Sequence, residues 1–583
     1  MKTNRTAYTK KRLSMKFLMI FPVLLFVGCP HTKKPTGSSP FEYREVYLPQ
    51  LTSDVYVPLS LNSIDRDWGI WGHNLSVVLP EKPSPSVYAK SGVGVNHDQF
   101  CFSSNELFKY ISKYIKNNYG KDKPMRFAIL PNDNSVVCMC KRCVECGNTE
   151  NDASGAVYYM LERLTKAFPK HFFFASYYRT TCSLPKKPLP DNAGVIISAI
   201  FFPLSTSYTP KEDDFKELLN QWSAYTNRIY VWDYINNFDD YFTPFPIFTI
   251  FQHRLRLYAD AGVKGIFLNG SGHDYSTLYG LKIHIMALLL SNLDADWRPK
   301  LREFCREYYP VTGDAICDFV LRQENMVEKV GETLLLYEGV PTAVKTYLPA
   351  ADFIKFHNKL ISLLPETSGK ERQSVEKLCR ALMLTRLELK RLDADTIGCR
   401  KMLQELEKLY DYDIIAYSES GGTIDSYIDD YRYMLRRASE TLKNKNLLKG
   451  VKLEPLTALD QEYDDISILT DGLLGLPSCY HCGQMLSSAS PALRISIPLV
   501  PGMKRLRVNM TKNAIYHIAF PLKVSLSCCG SELKSVIPTA IPGNLHRAVA
   551  EFDVPSSCKG PLVLSVFRDE SERTMALDEI EGF

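Results

Sequence analysis

Side chains that could act on a polar substrate recur at the ends of short apolar runs in the first half of the chain. Asp133 is the clearest case, because it follows the apolar run from Phe127 to Leu130, which Pro131 ends. Asp233 ends another such run in the same way. The remaining candidates share this position and are Trp71, His73, Asn74, His97, Tyr177, Trp232, Tyr234, Asn269 and Asp274. Ligand chemistry collects at these strand ends in parallel α/β folds.

The mixture of residue types at these strand ends suits a sugar. Aromatic faces stack on the C–H faces of sugar rings, while carboxylates, amides and imidazoles bond to hydroxyls. Each residue alone also has an ordinary structural explanation: an aromatic ring packs, His73 or His97 satisfies a buried hydrogen bond, and Asp133 caps a helix or makes an Asx turn. Convergence on one mouth is what favours a binding site.

Strand-like runs alternate with helical stretches from about Asp54 to Asn269. The predicted strands are Val55 to Leu61, Ser86 to Lys90, Phe127 to Leu130, Phe172 to Tyr178, Gly194 to Phe202, Arg228 to Tyr234 and Gly265 to Leu268. Repeated βα units with apolar strands predict a parallel sheet and favour a closed (β/α)8-like barrel. Tyr43 to Leu48 supplies the eighth strand, or the barrel is incomplete.

The 583 residues exceed what one hydrophobic core holds, and the pattern changes twice along the chain. Residues 51–290 are predicted to form the α/β catalytic barrel, and residues 291–450, with apolar positions three and four apart, a helical domain. Residues 451–583 alternate in the manner of an antiparallel β-sandwich, which acts either as a sugar-binding module or as a structural cap.

The N-terminal segment predicts export. Lys10, Lys11, Arg12 and Lys16 precede an apolar run over 17–27, and the Gly28-Cys29 that follows predicts a lipoprotein signal peptide over 1–29 with Cys29 as the lipidated residue. A single transmembrane anchor is the alternative, but the run is short for a bilayer. Residues 30–50 then form a tether, and the protein is placed at the bacterial cell envelope. The net charge of +5 shows no basic stripe, which argues against nucleic acid as a partner.

Four cysteines lie within nine residues just after Asp133: Cys138, Cys140, Cys143 and Cys146. A soft metal such as a structural zinc ion held by thiolates, and a disulfide pairing in an oxidising compartment, both fit this cluster. We expect a structural clamp for the loop that carries Asp133, and no catalytic cofactor.

Several segments together resemble glycoside hydrolase family 163. They are Asp67-Trp-Gly-Ile-Trp-Gly-His73-Asn-Leu, Phe100-Cys-Phe-Ser-Ser, Pro131-Asn-Asp133 with Cys-x-Cys-x-x-Cys, Val231-Trp-Asp-Tyr234 with Pro244-Phe-Pro246, Gly265-Ile-Phe-Leu-Asn-Gly270 and Phe304-Cys-Arg-Glu-Tyr-Tyr309. The resemblance implies a retaining endo-β-N-acetylglucosaminidase that acts on complex N-glycans, in exported lipoproteins of Bacteroidetes type. The substrate's acetamido group is then the nucleophile.

The resemblance also suggests roles for individual residues. Asp133 and Asp233 are the candidates for proton donor and acetamide-orienting group, in either order. Tyr234 and Asn269 would bond the acetamide, and Trp71 and Trp232 would stack on sugar rings. Leu268-Asn269 stand where relatives often carry acidic residues, so the alternative function is a non-catalytic glycan-binding lipoprotein on a degenerate barrel. Ile468-Leu-Thr-Asp-Gly472 and Leu577-Asp-Glu-Ile580 resemble a discoidin-type sugar-binding module, with Cys482 where an aromatic residue is expected.

Overall fold

A curled parallel sheet brings the strand ends of the first half of the chain together in the computed structural model. Its strands are β1 Tyr43–Tyr47, β2 Trp68–Ile70, β5 Arg126–Ala128, β6 Phe172–Tyr177, β7 Ala193–Ser198, β8 Ile229–Tyr234 and β9 Gly265–Asn269, with β3 Tyr88–Ser91 and β4 Gly94–Phe100 forming a separate hairpin. The structure describes residues 39–49, 59–92, 94–120, 123–207, 209–331, 333–393, 395–406, 414, 416–419, 423–441, 445–460, 464–477, 486–488, 490–514, 518–568 and 574–583.

All neighbours in the sheet run parallel, in the order β1-β9-β8-β7-β6-β5-β2. The inner face of the curl buries an aromatic-rich cluster that includes Tyr43, Trp68, Phe174, Tyr230 and Phe267. Aliphatic side chains on the other face join the large core formed with the helices. Both faces are therefore covered, as apolar parallel strands require.

The sheet is a half-barrel, and the predicted closed (β/α)8 barrel is not formed by the described residues. The two edges of the sheet are β1 and β2. Among the described residues these two strands do not pair, and contacts of side chains and backbone connect the two edges. The rings of Tyr43 and Trp68 lie 5.7 Å apart edge to face, and the Asn62 amide donates to the Arg44 carbonyl at 2.7 Å. Glu45, fully buried, accepts from the Ile64 amide at 2.9 Å, and its burial raises its pKa to about 8.

The predictions for three strands have different outcomes, and the predicted tether over 30–50 is wrong at its end because β1 begins at Tyr43. Tyr43–Tyr47 is a strand of the sheet, whereas the prediction over Val55 to Leu61 lies mostly outside the described residues. Ser86 to Lys90 is wrong as a sheet strand, because Tyr88–Ser91 pairs antiparallel with Gly94–Phe100 in the hairpin instead.

Helices alternate with the strands of the sheet. After β9, the helices of the described residues follow one another along the chain without strands between them. They are α1 Ile64–Asp67, α2 Asn105–Asn118, α3 Lys141–Cys146, α4 Ser154–Ala167, α5 Pro210–Ser223, α6 Phe248–Asp260, α7 Tyr279–Ser291, α8 Trp297–Tyr308, α9 Gly313–Val330, α10 Val340–Thr346, α11 Ala350–Leu363, α12 Gly369–Leu392, α13 Thr396–Leu406 and α14 Ile424–Thr441. Helix α2 shows why they form: Ser104 caps its first turn by accepting from the Leu107 amide, and Leu107, Ile111 and Ile115 are buried at four-residue spacing. No helix among the described residues is long and apolar enough to cross a membrane.

Two five-stranded antiparallel sheets follow, as the alternating pattern predicts. Their strands are β10 Glu454–Pro455, β11 Leu486–Ser488, β12 Ala492–Ile497, β13 Arg505–Thr511, β14 Lys523–Cys528, β15 Ser531–Val536, β16 Thr539–Ile541, β17 Asn544–Asp553, β18 Leu562–Phe567 and β19 Met575–Gly582. Of the two segments that resemble a discoidin module, Leu577 to Ile580 are buried in β19, where Asp578 pairs with Arg547 at 2.6 Å. Cys482 lies outside the described residues.

Candidate functional site

An aromatic floor lies at the carboxyl ends of β2, β8 and β9. Trp71 and Trp232 stack with ring centroids 5.0 Å apart and planes 16° from parallel, and Phe267 lies 4.5 Å from Trp71 and 4.8 Å from Trp232. Side chains alternate along a strand, so Trp232 shares the inner face with Tyr230. Gly72, at φ +58°, turns the chain beside the Trp232 ring. Both predicted platform residues are therefore together and half-buried.

His73 sits at the edge of this floor. Its ring centroid is 6.4 Å from that of Trp232 and 6.3 Å from that of Tyr178. Its Nδ1 lies 2.6 Å from the Pro131 carbonyl oxygen. A carbonyl oxygen only accepts, so Nδ1 carries the proton and Nε2 is the atom that can bond a substrate.

Asp133 lies on the loop that follows β5, beside His73. Its Oδ1 accepts from Arg179 at 2.8 Å, and both side chains are about half exposed, at 49% and 47%. The neighbouring Asn132 is fixed from both sides by Gln99, whose Oε1 accepts from the Asn132 amide at 2.9 Å and whose Nε2 donates to the Asn132 carbonyl at 3.0 Å. The loop thus presents an ion-paired carboxylate to solvent in a defined position.

Tyr178 completes this side of the mouth. Burial raises the pKa of its hydroxyl, and the negative charge of Asp133 raises it further. The hydroxyl therefore stays protonated and can donate to a carboxylate or to a substrate oxygen. Tyr178 was named in the sequence only as part of the strand end.

The helical region contributes a second carboxyl that the sequence did not indicate. The backbone of residues 416–419 lies along the loop after β8, where the Tyr241 amide donates to the Tyr417 carbonyl and the Glu419 amide donates to the Phe238 carbonyl, both at 2.8 Å. Glu419 Oε2 accepts from the Tyr337 hydroxyl at 2.9 Å. Its side chain remains exposed to solvent.

Glu419 is electrostatically part of the mouth. Loss of solvation raises its pKa, the Tyr337 hydrogen bond opposes this, and the charge of Asp133 adds to it. The charge of Glu419 also acts on Tyr178 and on Tyr234. Glu419 and Asp133 therefore lie close enough for their charges to interact, although their environments differ.

The structure corrects the position of Asp233, which was predicted to stand in the mouth with Asp133. Asp233 alternates with Trp232 and Tyr234 and so points to the helix side of the sheet, where it is fully buried. Both of its carboxylate oxygens accept from Arg254 at 2.7 Å, and Oδ2 also accepts from the Tyr258 hydroxyl at 2.5 Å. This carboxylate anchors α6 to β8 and is closed to substrate.

The prediction that Tyr177 faces the mouth is wrong for the same reason. Its ring packs 5.9 Å from the buried Trp222 of α5, on the helix side, which leaves the mouth to Tyr178. Tyr234 does face inward, with its hydroxyl 3.3 Å from Ser198 Oγ, and its strand register places it level with Asn269. Both are half-buried, as a substrate-binding role requires.

The other predicted residues lie on exposed segments. Asn74 and Asp274 are exposed. Partial loss of solvation raises the pKa of Asp274, and the neighbouring His273 opposes this rise. His97 is exposed on the hairpin, where its ring packs 4.4 Å from that of Tyr88.

The cysteine cluster forms with one change of member. Cys138, Cys140 and Cys143 gather with Cys101 so that the four sulfur atoms lie within 4.8 Å of one another. Cys146, predicted as the fourth member, ends α3 and is not part of this group. Cys101 was missed because it lies far away in sequence, just after β4.

The family described as a domain of unknown function (DUF4838) matches residues 22–320, just over half of the chain. The chain belongs to this family. In this DUF4838 protein, the matched residues include every strand of the half-barrel and the residues of its mouth, except Glu419. A search of curated proteins finds no match.

Solved structures with a similar course of the chain include two glycoside hydrolases and a lectin domain. A family GH115 4-O-methyl-alpha-glucuronidase with specificity for decorated arabinogalactans is 10% identical, covering 86% of this chain and 69% of its own, with a TM-score of 0.34. A GH138 enzyme targeting pectin rhamnogalacturonan II is 9% identical over 92% and 84%, at 0.36. The lectin domain of lectinolysin, complexed with Lewis B antigen, is 13% identical over 24% and 96%, at 0.19.

Proposed function

We propose that this DUF4838 protein is a glycoside hydrolase whose active site is the mouth of the half-barrel. The observation that carries the proposal is an aromatic floor, Trp71 and Trp232, at the same end of the sheet as two solvent-accessible carboxyls whose charges interact, Asp133 and Glu419. Glycoside hydrolases commonly use aromatic rings that stack on the sugar and two carboxyl groups that act on the glycosidic bond.

The resemblance to glycoside hydrolase family 163 supports a finer proposal, a retaining endo-β-N-acetylglucosaminidase acting on complex N-glycans. The acetamido carbonyl oxygen of the substrate attacks the anomeric carbon while the bond to the leaving oxygen breaks. Glu419, whose raised pKa favours the protonated form, gives its proton to that oxygen. Asp133 accepts from the acetamide N–H and stabilises the positive oxazolinium ion. Glu419 then takes a proton from the water that opens this ion.

In this proposal, Glu419 supplies the acidic group that is missing at the end of β9. Leu268 is buried on the helix side, and Asn269 faces the mouth level with Tyr234. Asn269 and Tyr234 are placed to bond the acetamide, and the acid comes from the helical region instead of the strand. The barrel therefore does not need a carboxylate at Leu268 or Asn269.

Incubating the full-length protein with a complex N-glycoprotein tests the proposal. Released oligosaccharide, separated from the protein and identified by its mass, is the expected result. Retention of the glycoprotein without release would support the alternative, a glycan-binding protein. If the protein neither releases oligosaccharide nor retains the glycoprotein, the aromatic floor is only packing.

Tyr178 and Tyr177 offer a matched pair of variants. Tyr178→Phe removes a hydroxyl beside Asp133 and should lower kcat/KM by roughly 10- to 150-fold, since a hydrogen bond to a charged group contributes roughly 1.5–3 kcal/mol. Tyr177→Phe, on the helix side, should leave kcat/KM within about twofold of the wild type, as expected for surface or packing positions. Equal effects of the two substitutions in a glycan-release assay would contradict the assignment of faces.

We further propose that the protein is anchored to the cell envelope by lipid on Cys29, which lies outside the described residues. The basic stretch, apolar run and Gly28-Cys29 of the sequence support this. Expressed in a bacterium that processes lipoproteins, the protein should fractionate with membranes, and Cys29→Ser should release it to the soluble fraction. Membrane retention of Cys29→Ser at the wild-type level would contradict lipidation.

A further inference from the structure

Four cysteine sulfur atoms from two separate segments meet beside the Asp133 loop. Cys101 comes from the turn between β4 and α2, Cys138 and Cys140 come from the segment that leads into α3, and Cys143 lies in α3 itself. Structural zinc sites commonly draw their ligands from two segments in this way, which the compact cluster in the sequence did not show.

Two of the six sulfur–sulfur distances match tetrahedral coordination, and all six are within 4.8 Å. Cys101 Sγ lies 3.7 Å from Cys140 Sγ and 3.7 Å from Cys143 Sγ. Four sulfurs at the zinc–sulfur bond length of about 2.3 Å stand about 3.8 Å apart along the edges of a tetrahedron. The thiols in the described residues are unpaired by disulfides, so the arrangement is one of four free ligands.

The surroundings suit a closed structural site. Cys101, Cys138 and Cys143 are buried, with 6%, 2% and 0% of their surface exposed. The Lys90 amide donates to Cys138 Sγ at 3.3 Å, and the buried Ser103 hydroxyl lies 3.1 Å from Cys143 Sγ. Such hydrogen bonds stabilise thiolate charge and orient metal ligands.

We propose that Cys101, Cys138, Cys140 and Cys143 bind one Zn²⁺ ion as a structural tetrathiolate site. Tetrahedral sulfur ligation selects zinc or iron, and a closed four-ligand shell leaves no position for a substrate. The ion ties the start of α2 to the segment before α3. The loop that carries Asp133 is then held at one end by Gln99 and at the other by the metal.

Metal analysis of the full-length protein, purified with reductant and without chelator, tests the proposal. One zinc per chain is expected in the wild type and in the control Cys146→Ser, because Cys146 lies outside the group of four. Cys101→Ser and Cys140→Ser should each lose most of the bound zinc. Stoichiometric iron in place of zinc, or zinc loss by Cys146→Ser alone, would overturn the assignment.

A cobalt spectrum keeps the test decisive if a cysteine variant fails to fold. Wild-type protein exchanged into Co²⁺ should show the intense visible bands of tetrahedral thiolate ligation, and Zn²⁺ should remove them. A thiol count on the denatured protein without reductant should recover all four cluster thiols after chelation. Two disulfides among these four cysteines in the natively exported protein, with no bound metal, would refute the zinc site.

Discussion

Glu419→Gln is expected to lower kcat for glycan release by on the order of 10²–10⁴-fold, because the leaving oxygen loses its proton donor. Asp133→Asn should lower kcat by a comparable factor, since the oxazolinium ion loses its carboxylate partner. Asp294→Asn is the control, because Asp294 is 87% exposed before α8 and is not among the predicted site residues, and this variant should stay within a few-fold of the wild type. Single-turnover release from a labelled N-glycopeptide measures all three.

The two carboxyls can be told apart by the leaving group. A substrate whose leaving group needs no proton should restore most of the rate to Glu419→Gln and none to Asp133→Asn. The pH profile gives a second readout: kcat/KM of the wild type should fall as pH rises through the pKa of Glu419, which burial places above that of an ordinary glutamate. Wild-type rates in both variants would remove these residues from the mechanism.

Arg254→Met is expected to lower the free energy of unfolding by about 3–5 kcal/mol, because it leaves Asp233 charged and buried without its partner. Asp233 and Arg254 are each 1% exposed at the side chain, so solvent cannot compensate. Asp233→Asn should also destabilise the protein, and the double variant should lose less than the sum of the two single losses. Urea unfolding followed by tryptophan fluorescence measures these differences.

Arg256→Met is the matched control, two residues along the same helix. Arg256 pairs with Asp294, but the two side chains are 48% and 87% exposed, and exposed ion pairs contribute roughly 0–1 kcal/mol. Its unfolding midpoint should therefore stay close to that of the wild type. If Asp233→Asn kept full stability but lost turnover, Asp233 would be catalytic and the corrected placement would be wrong.

The sequence predicted a parallel sheet with candidate side chains at its strand ends, and the structure brings Trp71, His73 and Trp232 together. It could not predict which face of a strand each residue occupies. Parallel strands are apolar on both faces, so the alternation that marks an inner face in an amphipathic strand is missing. Tyr177 and Asp233 were therefore placed in the mouth one residue out of phase.

Contacts between distant segments were the second source of error. Glu419 enters the mouth only because residues 416–419 bond to the loop after β8, and Cys101 reaches the other thiols only because the hairpin turns back on the Asp133 loop. Neither segment has a local pattern that marks it as functional. Long-range packing, which a single sequence does not encode locally, decides both.

The mass of the products from one complex N-glycoprotein, treated with wild-type protein and with Glu419→Gln, tests the central claim most directly. We predict that the wild type releases an oligosaccharide and leaves a single N-acetylglucosamine on each occupied asparagine, while Glu419→Gln releases almost none. An unchanged glycoprotein after wild-type treatment, or equal release by both proteins, would contradict a glycosidase site built on Glu419 and Asp133.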